Sequence, residues 1–233
     1  MKKYRNEWKY ICSNTSLAMI RNRLDALMHK DIHTNFNGIY NVHNIYFDDY
    51  KNNSAKSVEA GNLKRFKWRI RYYNDDIDTI KLERKEKLYG RCHKLSTPLT
   101  FNEYNALING NVEDILWETD KELVKKLCID IMTKRYVPKI IVDYEREAYV
   151  DEILNIRITF DKNISASYEI DKFLRGDYIK VPLQELPYNV LEVKFDDILP
   201  GYIKKIIESV ASSQTAFSKY YTGRKMMEMI KWV

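Results

Sequence analysis

The sequence predicts an α+β fold: an eight-stranded, mainly antiparallel β-barrel with helices packed outside it. Three observations lead there. Six runs, at residues 5–11, 67–73, 81–87, 140–149, 157–161 and 190–195, alternate charged and apolar residues. A period of two sends successive side chains to opposite faces of a strand, so each run has one charged and one apolar face. Helix-spaced apolar residues with caps fill much of what lies between. One or two such runs would describe a sheet with a solvated face. Six, mostly cationic with a few carboxylates, suit a closed barrel whose interior is lined by Lys and Arg. Closure removes sheet edges, and about eight strands enclose room for side chains or one small ligand.

The elements follow in order. Residues 5–11 open with a strand. Ser13 to Ser16 offer helix caps, and Leu17, Ile20, Leu24 and Leu27 recur at helical spacing, which predicts a helix over 16–29. A strand is expected at 40–47, with Asp48 and Asp49 placed to cap a helical stretch through Val58. The central hairpin puts Lys67, Arg69 and Arg71 on one face of its first strand, and Lys81, Glu83, Lys85 and Lys87 on one face of its second. Another strand starts at 90–95. Helices are predicted at 100–107 and 119–134, the latter with Thr119 and Glu122 as a capping box. Strands follow at 139–150, 153–163 and 189–196. Leu199, Pro200 and Gly201 end the last of them, ahead of helices at 201–211 and 214–222.

Composition narrows the classes. The 233 residues are read as one domain, 1–233, with 45% hydrophobic content to build a core. Eighteen Tyr and four Trp favour β structure and amphipathic surfaces. The net charge of +6 points to an anionic partner. It is spread through the strands and not gathered in an arm, so nucleic acid is not the expected ligand. Cys12, Cys92 and Cys128 are odd in number and lack metal-ligand spacing, which reads as reduced thiols in a cytoplasmic protein. No apolar run approaches the roughly 20 residues that span a bilayer, and Glu7 and Lys9 interrupt any signal-like start. His29, His33, His43 and His93 share no ligand spacing, and there is neither a Gly-x-x-x-x-Gly-Lys loop nor a nucleophile elbow.

Taken in order, the runs resemble the VTC domain of polyphosphate polymerases, a branch of the triphosphate tunnel metalloenzyme (CYTH-like) superfamily. The matching motifs are Glu7-x-Lys9-Tyr10, Tyr46-Phe47-Asp48, Arg69-x-Arg71, Lys81-x-Glu83-x-Lys85, Pro138 through Tyr144-x-Arg146, Arg157-x-Thr159-x-Asp161, Glu192-x-Lys194 and Ser218-Lys219-Tyr220. None is specific alone; the signal is their joint order across residues 5 to 220. The resemblance implies an eight-stranded triphosphate tunnel that holds a triphosphate or polyphosphate on basic walls, with a divalent metal on a glutamate. By strand parity Arg69 and Arg71 would form one wall, Lys81 and Lys85 the next, and Arg146, Arg157 and Lys194 the others. Lys9 would complete the ring. Arg69, Arg71, Lys85, Arg146, Arg157 and Lys194 are the implied catalytic cations, and Lys9, Lys81, Ser218 and Lys219 the further phosphate ligands. Glu192 is the implied ligand of Mn²⁺ or Mg²⁺, ions that take oxygen donors, with Glu7 and Glu83 as weaker candidates. For each cation the plain alternative is a solvent-facing side chain, and for Glu192 a structural counter-ion.

Two departures matter. The wider superfamily usually opens with Glu-x-Glu-x-Lys, whereas this strand reads Arg5-x-Glu7-x-Lys9, which is expected to exchange a metal ligand for a phosphate ligand. Eukaryotic relatives add an SPX domain and membrane segments that this chain lacks, so any membrane step would need a partner. The activity this implies is a metal-dependent phosphotransferase that moves the γ-phosphoryl group of ATP to a growing polyphosphate. The alternatives are a metal-dependent triphosphatase and a non-catalytic polyphosphate-binding module.

Overall fold

The computed structural model describes residues 3–31, 34, 38–183, 188–210 and 213–230. The chain begins with β1 (Asn6–Cys12), α1 (Asn14–Leu24), β2 (His29–Lys30), β3 (Ile39–Asp48), α2 (Asn53–Glu59), β4 (Lys64–Tyr73), β5 (Asp76–Leu88) and β6 (Arg91–Pro98). Helices α3 (Phe101–Asn109), α4 (Glu113–Glu118) and α5 (Glu122–Lys134) come next. After them run β7 (Val137–Asp151), β8 (Ile156–Ser167), β9 (Val181–Pro182), β10 (Asn189–Phe195), α6 (Gly201–Glu208) and α7 (Lys219–Ile230). Eight strands form a continuous path, β1-β10-β8-β7-β3-β4-β5-β6, with β2 added to β7 and β9 to β8. Every neighbouring pair in the path is antiparallel. The sheet curls into a barrel-like tunnel whose two edge strands meet at one point. There Arg5 and Cys92 exchange backbone hydrogen bonds of 2.9 and 2.8 Å. Farther along β1, the Thr215 N–H donates to the Lys9 carbonyl at 2.8 Å, so the segment before α7 occupies the rest of that edge.

The apolar face of the alternation looks outward and is covered. Trp68, Ile70 and Leu82 pack against Leu107, Val124 and Leu127 of α3 and α5, and the buried Trp68 indole donates to Asp130 at 2.8 Å. Leu17, Ile20 and Leu24 of α1 and Ile203 of α6 pack on Ile158, Phe160, Leu191 and Val193. A third cluster lies on the inner face, where Ile140, Val142, Ala166 and Val190 meet Tyr220 and Met227 of α7. That helix enters the barrel mouth at Gly223, where an added Cβ would stand 3.2 Å from Ile140 Cδ1 and 3.4 Å from Leu183 Cδ1. One part of the interior is therefore apolar and plugged, and the remainder is polar.

Several expectations shift in detail. The first helix ends at Leu24, its capping N–H on Asp25 returning to Arg21 O, and Leu27 is exposed beyond it. The capping box forms at Thr100 and Glu103, the same Thr-x-x-Glu spacing, and not at Thr119 and Glu122. The Thr119 hydroxyl donates instead to Glu103 at 2.9 Å. Asp48 and Asp49 do cap α2, accepting from the N–H groups of Asn53, Ser54 and Ala55 at 2.9 to 3.0 Å. The strand expected at 153–163 starts at Ile156 and runs to Ser167. It bulges where Asn163 adopts φ 50, which resets the parity so that both Asp161 and Ala166 face inward. The final helix starts at Lys219 and extends to Ile230, later and longer than 214–222. His33 and residue 211 lie outside the described residues. Among the described residues, no helix is long and apolar enough to cross a membrane.

Candidate functional site

The inner faces of the strands enclose a cavity of about 590 Å³. β4 supplies Arg65, Lys67, Arg69 and Arg71, and β5 supplies Lys85 and Lys87. β1 contributes Glu7 and Lys9, β10 Glu192 and Lys194, and β7 Tyr144 and Arg146. The segment from Gln214 into α7 closes one side with Phe217, Ser218 and Lys219. Ten cationic side chains thus face two carboxylates in the lining.

Strand register explains the contacts. Lys9 is opposite Glu192 and Glu7 opposite Lys194; Arg146 is opposite Asp161, and Arg69 opposite Glu83. Directly opposed residues bring their Cβ atoms to roughly 5 Å, and ion pairs follow. Arg146 grips Asp161 with two hydrogen bonds of 2.6 and 2.8 Å, and Lys219 bonds the same carboxylate. Arg69 Nε donates to Glu83 at 2.7 Å, and Lys94 reaches Glu83 at 2.7 Å. Arg71 is held by neutral acceptors, Asn44 at 2.7 Å and the Tyr144 hydroxyl at 2.8 Å. Lys85 lies 2.6 Å from Glu7, and Lys194 pairs with Glu192.

The carboxylates stay ionised although buried. Burial pushes the Glu192 pKa up, but Lys194, Lys9 and Lys85 outweigh it and hold the group well below the usual carboxylate range. Glu7 shows the same balance: burial and Glu192 raise it, and Lys85, Lys9 and Lys194 bring it down. The cations bear the opposite strain. Burial, then Lys9, Lys85 and Arg65, push Lys67 well below its ordinary value. Burial brings Lys194 down to about 8 despite Glu192. Lys67 is met by the Ser218 hydroxyl at 2.7 Å and by the Tyr220 ring. An anion in the cavity would relieve this repulsion.

Glu192 and Glu7 together offer oxygen donors to one cation. Two features of the site fit that use. The Lys9 ammonium already stands between them, 3.4 Å from Glu192 and 3.1 Å from Glu7. Thr159, opposite Glu192 in register, has a buried hydroxyl without a hydrogen-bond partner. No group of three His, Cys, Asp or Glu forms a metal cage among the described residues, so phosphate oxygens and water would have to complete the shell, as Mg²⁺ commonly arranges.

Of the residues expected from sequence, Lys9, Arg69, Arg71, Lys85, Arg146, Lys194, Ser218, Lys219, Glu7 and Glu192 come together in the lining. Lys81, Glu83 and Arg157 do not. Lys81 lies opposite Arg71, beyond the cavity. Glu83 is the counter-ion of Arg69 and Lys94 and is not among the residues that line the cavity. Arg157 pairs with Asp31 and donates to the Tyr40 hydroxyl at 2.8 Å. Arg5 also departs from expectation: it is bound to Asp196 at 3.1 Å and to the Asn155 carbonyl, outside the lining. At this position the guanidinium is bound to protein groups and is not among the residues that line the cavity. Sequence reasoning left Arg65, Lys67 and Lys87 out of the site, although all three share the parity of Arg69 or Lys85. The 214–217 segment carried no signal at all.

Solved structures that share this architecture include two of similar length. The Hippeastrum protein HpAC1, named for adenylyl cyclase and reported with a dominant triphosphatase activity, aligns at 13% identity over 97% of this chain and 96% of its own, with TM-score 0.59. A Bacillus halodurans protein assigned as an adenylate cyclase aligns at 14% identity over 93% and 95%, with TM-score 0.52. These likenesses establish the fold alone. No curated protein sequence is a significant match. The family model for the VTC domain matches residues 4–228, and the chain belongs to the VTC domain family.

Proposed function

We propose that this chain, acting as one domain, is a polyphosphate polymerase that transfers the γ-phosphoryl group of ATP to the end of a polyphosphate chain. The observation that carries the reading is the cavity lining: among the described residues, ten cations against Glu7 and Glu192 in the lining and the buried counter-ions Glu83 and Asp161 behind it. Such a surplus is costly to keep buried and is suited to a ligand with several charges in a row. Arg69, Arg71 and Arg146 bring guanidinium groups to the lining, each oriented by a protein acceptor (Glu83, Asn44 with Tyr144, and Asp161), and their remaining N–H groups can donate to phosphate oxygens. Lys9, Lys85, Lys194 and Lys219 add point charges between them.

Transfer needs positioning and charge neutralisation more than covalent help from the protein. A terminal oxygen of the acceptor phosphate attacks the γ-phosphorus, the bond to the β–γ bridging oxygen breaks, and ADP leaves. A divalent ion, Mn²⁺ or Mg²⁺, held by Glu192 with Glu7, would supply charge neutralisation along the phosphoryl oxygens. The arginines hold the two reacting phosphates in line, and Ser218 with Lys67 orders the wall formed by the segment before α7.

A second reading is a metal-dependent triphosphatase, with water in place of the acceptor phosphate. The triphosphatase activity of HpAC1, which has the same fold, favours it. One incubation separates the two: ATP with Mn²⁺, then resolution of polyphosphate from orthophosphate. Long chains that disappear in Glu192→Ala support the polymerase. Orthophosphate alone overturns it in favour of the hydrolase, and anion binding without either product would leave a polyphosphate-binding module.

A further inference from the structure

Lys9 is unusual among the cavity cations in the company it keeps. Its ammonium is surrounded by three oxygens from three segments: Glu7 at 3.1 Å, Glu192 at 3.4 Å and the Phe217 carbonyl at 3.0 Å. Two of these are the carboxylates suited to a divalent ion, so a resident cation already occupies the position between them. The rest of the cluster reinforces the point. Lys85 is on Glu7 and Lys194 is on Glu192, which leaves three ammonium groups around two carboxylates. A dication approaching this cluster meets net positive charge in a setting where water screens poorly. Thr159, the register partner of Glu192 on the neighbouring strand, is buried at 1% exposure with its hydroxyl unpartnered.

We infer that Lys9 is an internal counter-ion that guards the metal position: its ammonium stands in for the divalent cation, which enters only when a polyanion draws Lys9 away. The side chain can make that exchange because lysine is a point charge on a flexible four-carbon stem. Phosphate oxygens in the adjoining cavity are stronger acceptors for it than the neutral Phe217 carbonyl. Metal and polyanion then bind with positive coupling, each favouring the other by the same factor. The Lys9–Phe217 bond brings this exchange to the segment before α7, which stays anchored to β1 by the Thr215 N–H on the Lys9 backbone carbonyl. This inference rests on the reading of Glu7 and Glu192 as metal donors. It does not depend on whether the transferred phosphoryl group ends on phosphate or on water.

The test is a titration of the protein with Mn²⁺ alone, following the free ion by electron paramagnetic resonance, with no nucleotide and no turnover. Wild type should bind weakly, and Lys9→Gln should bind about tenfold more tightly, a typical size for coupled sites. Adding Glu192→Gln to that variant should abolish the gain. Equal affinities in wild type and Lys9→Gln would overturn the inference, as would a gain that survives loss of Glu192. Should Lys9→Gln fail to fold, wild type still decides. Its Mn²⁺ affinity should rise in sulfate over chloride at matched ionic strength, and an unchanged or lower affinity refutes the guard. Because the readout is metal affinity, the polymerase reading can fail in the product assay while this inference stands, or the reverse.

Discussion

Replacing Asp161 with Asn probes how the cavity tolerates its own charge. The carboxylate is fully buried, is gripped by Arg146 at 2.6 and 2.8 Å and is shared with Lys219. The amide keeps the shape and removes the charge, leaving a guanidinium and an ammonium facing each other across a neutral group. Two routes give the size of the loss. Burial raises the Asp161 pKa, but Arg146 and Lys219 bring it down to about 2 from 3.8, a shift that corresponds to about 2.5 kcal/mol at 1.36 kcal/mol per unit. Removing one partner of a buried pair typically costs about 3–5 kcal/mol. Water entering the adjoining cavity screens the orphaned cations, so the lower end is expected, about 3 kcal/mol. At ~2–4 °C per kcal/mol for a chain of this size, the melting temperature should fall by roughly 6–12 °C. Tripolyphosphate should restore more of that loss in the variant than it adds to wild type, because it supplies the missing anion. Urea unfolding with and without tripolyphosphate measures both effects. A loss under about 1 kcal/mol, or equal stabilisation of both proteins by the anion, would refute the reasoning.

Three further outcomes follow from other parts of the molecule. Glu147, on the outer face, is held by Arg21 at 2.8 Å and by Lys30; against the upward push of burial, these partners lower its pKa from 4.5 to about 2. Its contribution, about 3 kcal/mol at 1.36 kcal/mol per unit, is present above pH 4.5 and lost as pH falls toward 2. Stability curves of wild type and Glu147→Gln should therefore converge at low pH, and parallel curves would contradict this. Gly223→Leu should lift α7 from the barrel mouth, since even a Cβ there stands 3.2 Å from Ile140. Overpacking of that kind costs about 1–3 kcal/mol, and unchanged stability would show that α7 is not seated as described. Lys67, its pKa pushed down by burial and then by Lys9, Lys85 and Arg65, should hold its proton more tightly when a polyanion binds, so that binding at a pH around the lowered pKa takes up protons. Affinity for tripolyphosphate should then fall as pH rises through the lowered pKa of the free protein. Calorimetry in buffers of different ionisation enthalpy should register proton uptake in wild type that disappears in Lys67→Gln; the same uptake in both would exclude Lys67 as its source.

Much of this architecture was legible because a period-two pattern converts directly into faces. Arg69, Arg71, Glu192 and Lys194 are on the inner wall for that reason alone, and the same rule applied evenly would have added Lys67, Arg65 and Lys87. Other features depend on contacts the sequence does not encode locally. Arg157 has inward parity, but Asp31, more than a hundred residues away, holds it outside the cavity. Thr119 has the spacing of a capping residue, yet its hydroxyl is taken by Glu103 from another helix. The bulge at Asn163 resets the parity of β8, and nothing in the alternation marks where that happens. Phe217 reaches Lys9 through a backbone carbonyl, an interaction any residue could make, which is why the 214–217 wall left no trace in side-chain chemistry.

The central claim is that the tunnel passes phosphate from ATP to a chain, and the most direct measurement is of the product. Purified protein incubated with ATP and Mn²⁺ should yield polyphosphate that resolves as a ladder on a gel, with ADP in matching amounts. The ladder should vanish in Glu192→Ala and in Arg71→Ala. Orthophosphate in place of a ladder, or a ladder undiminished by either substitution, would contradict the account.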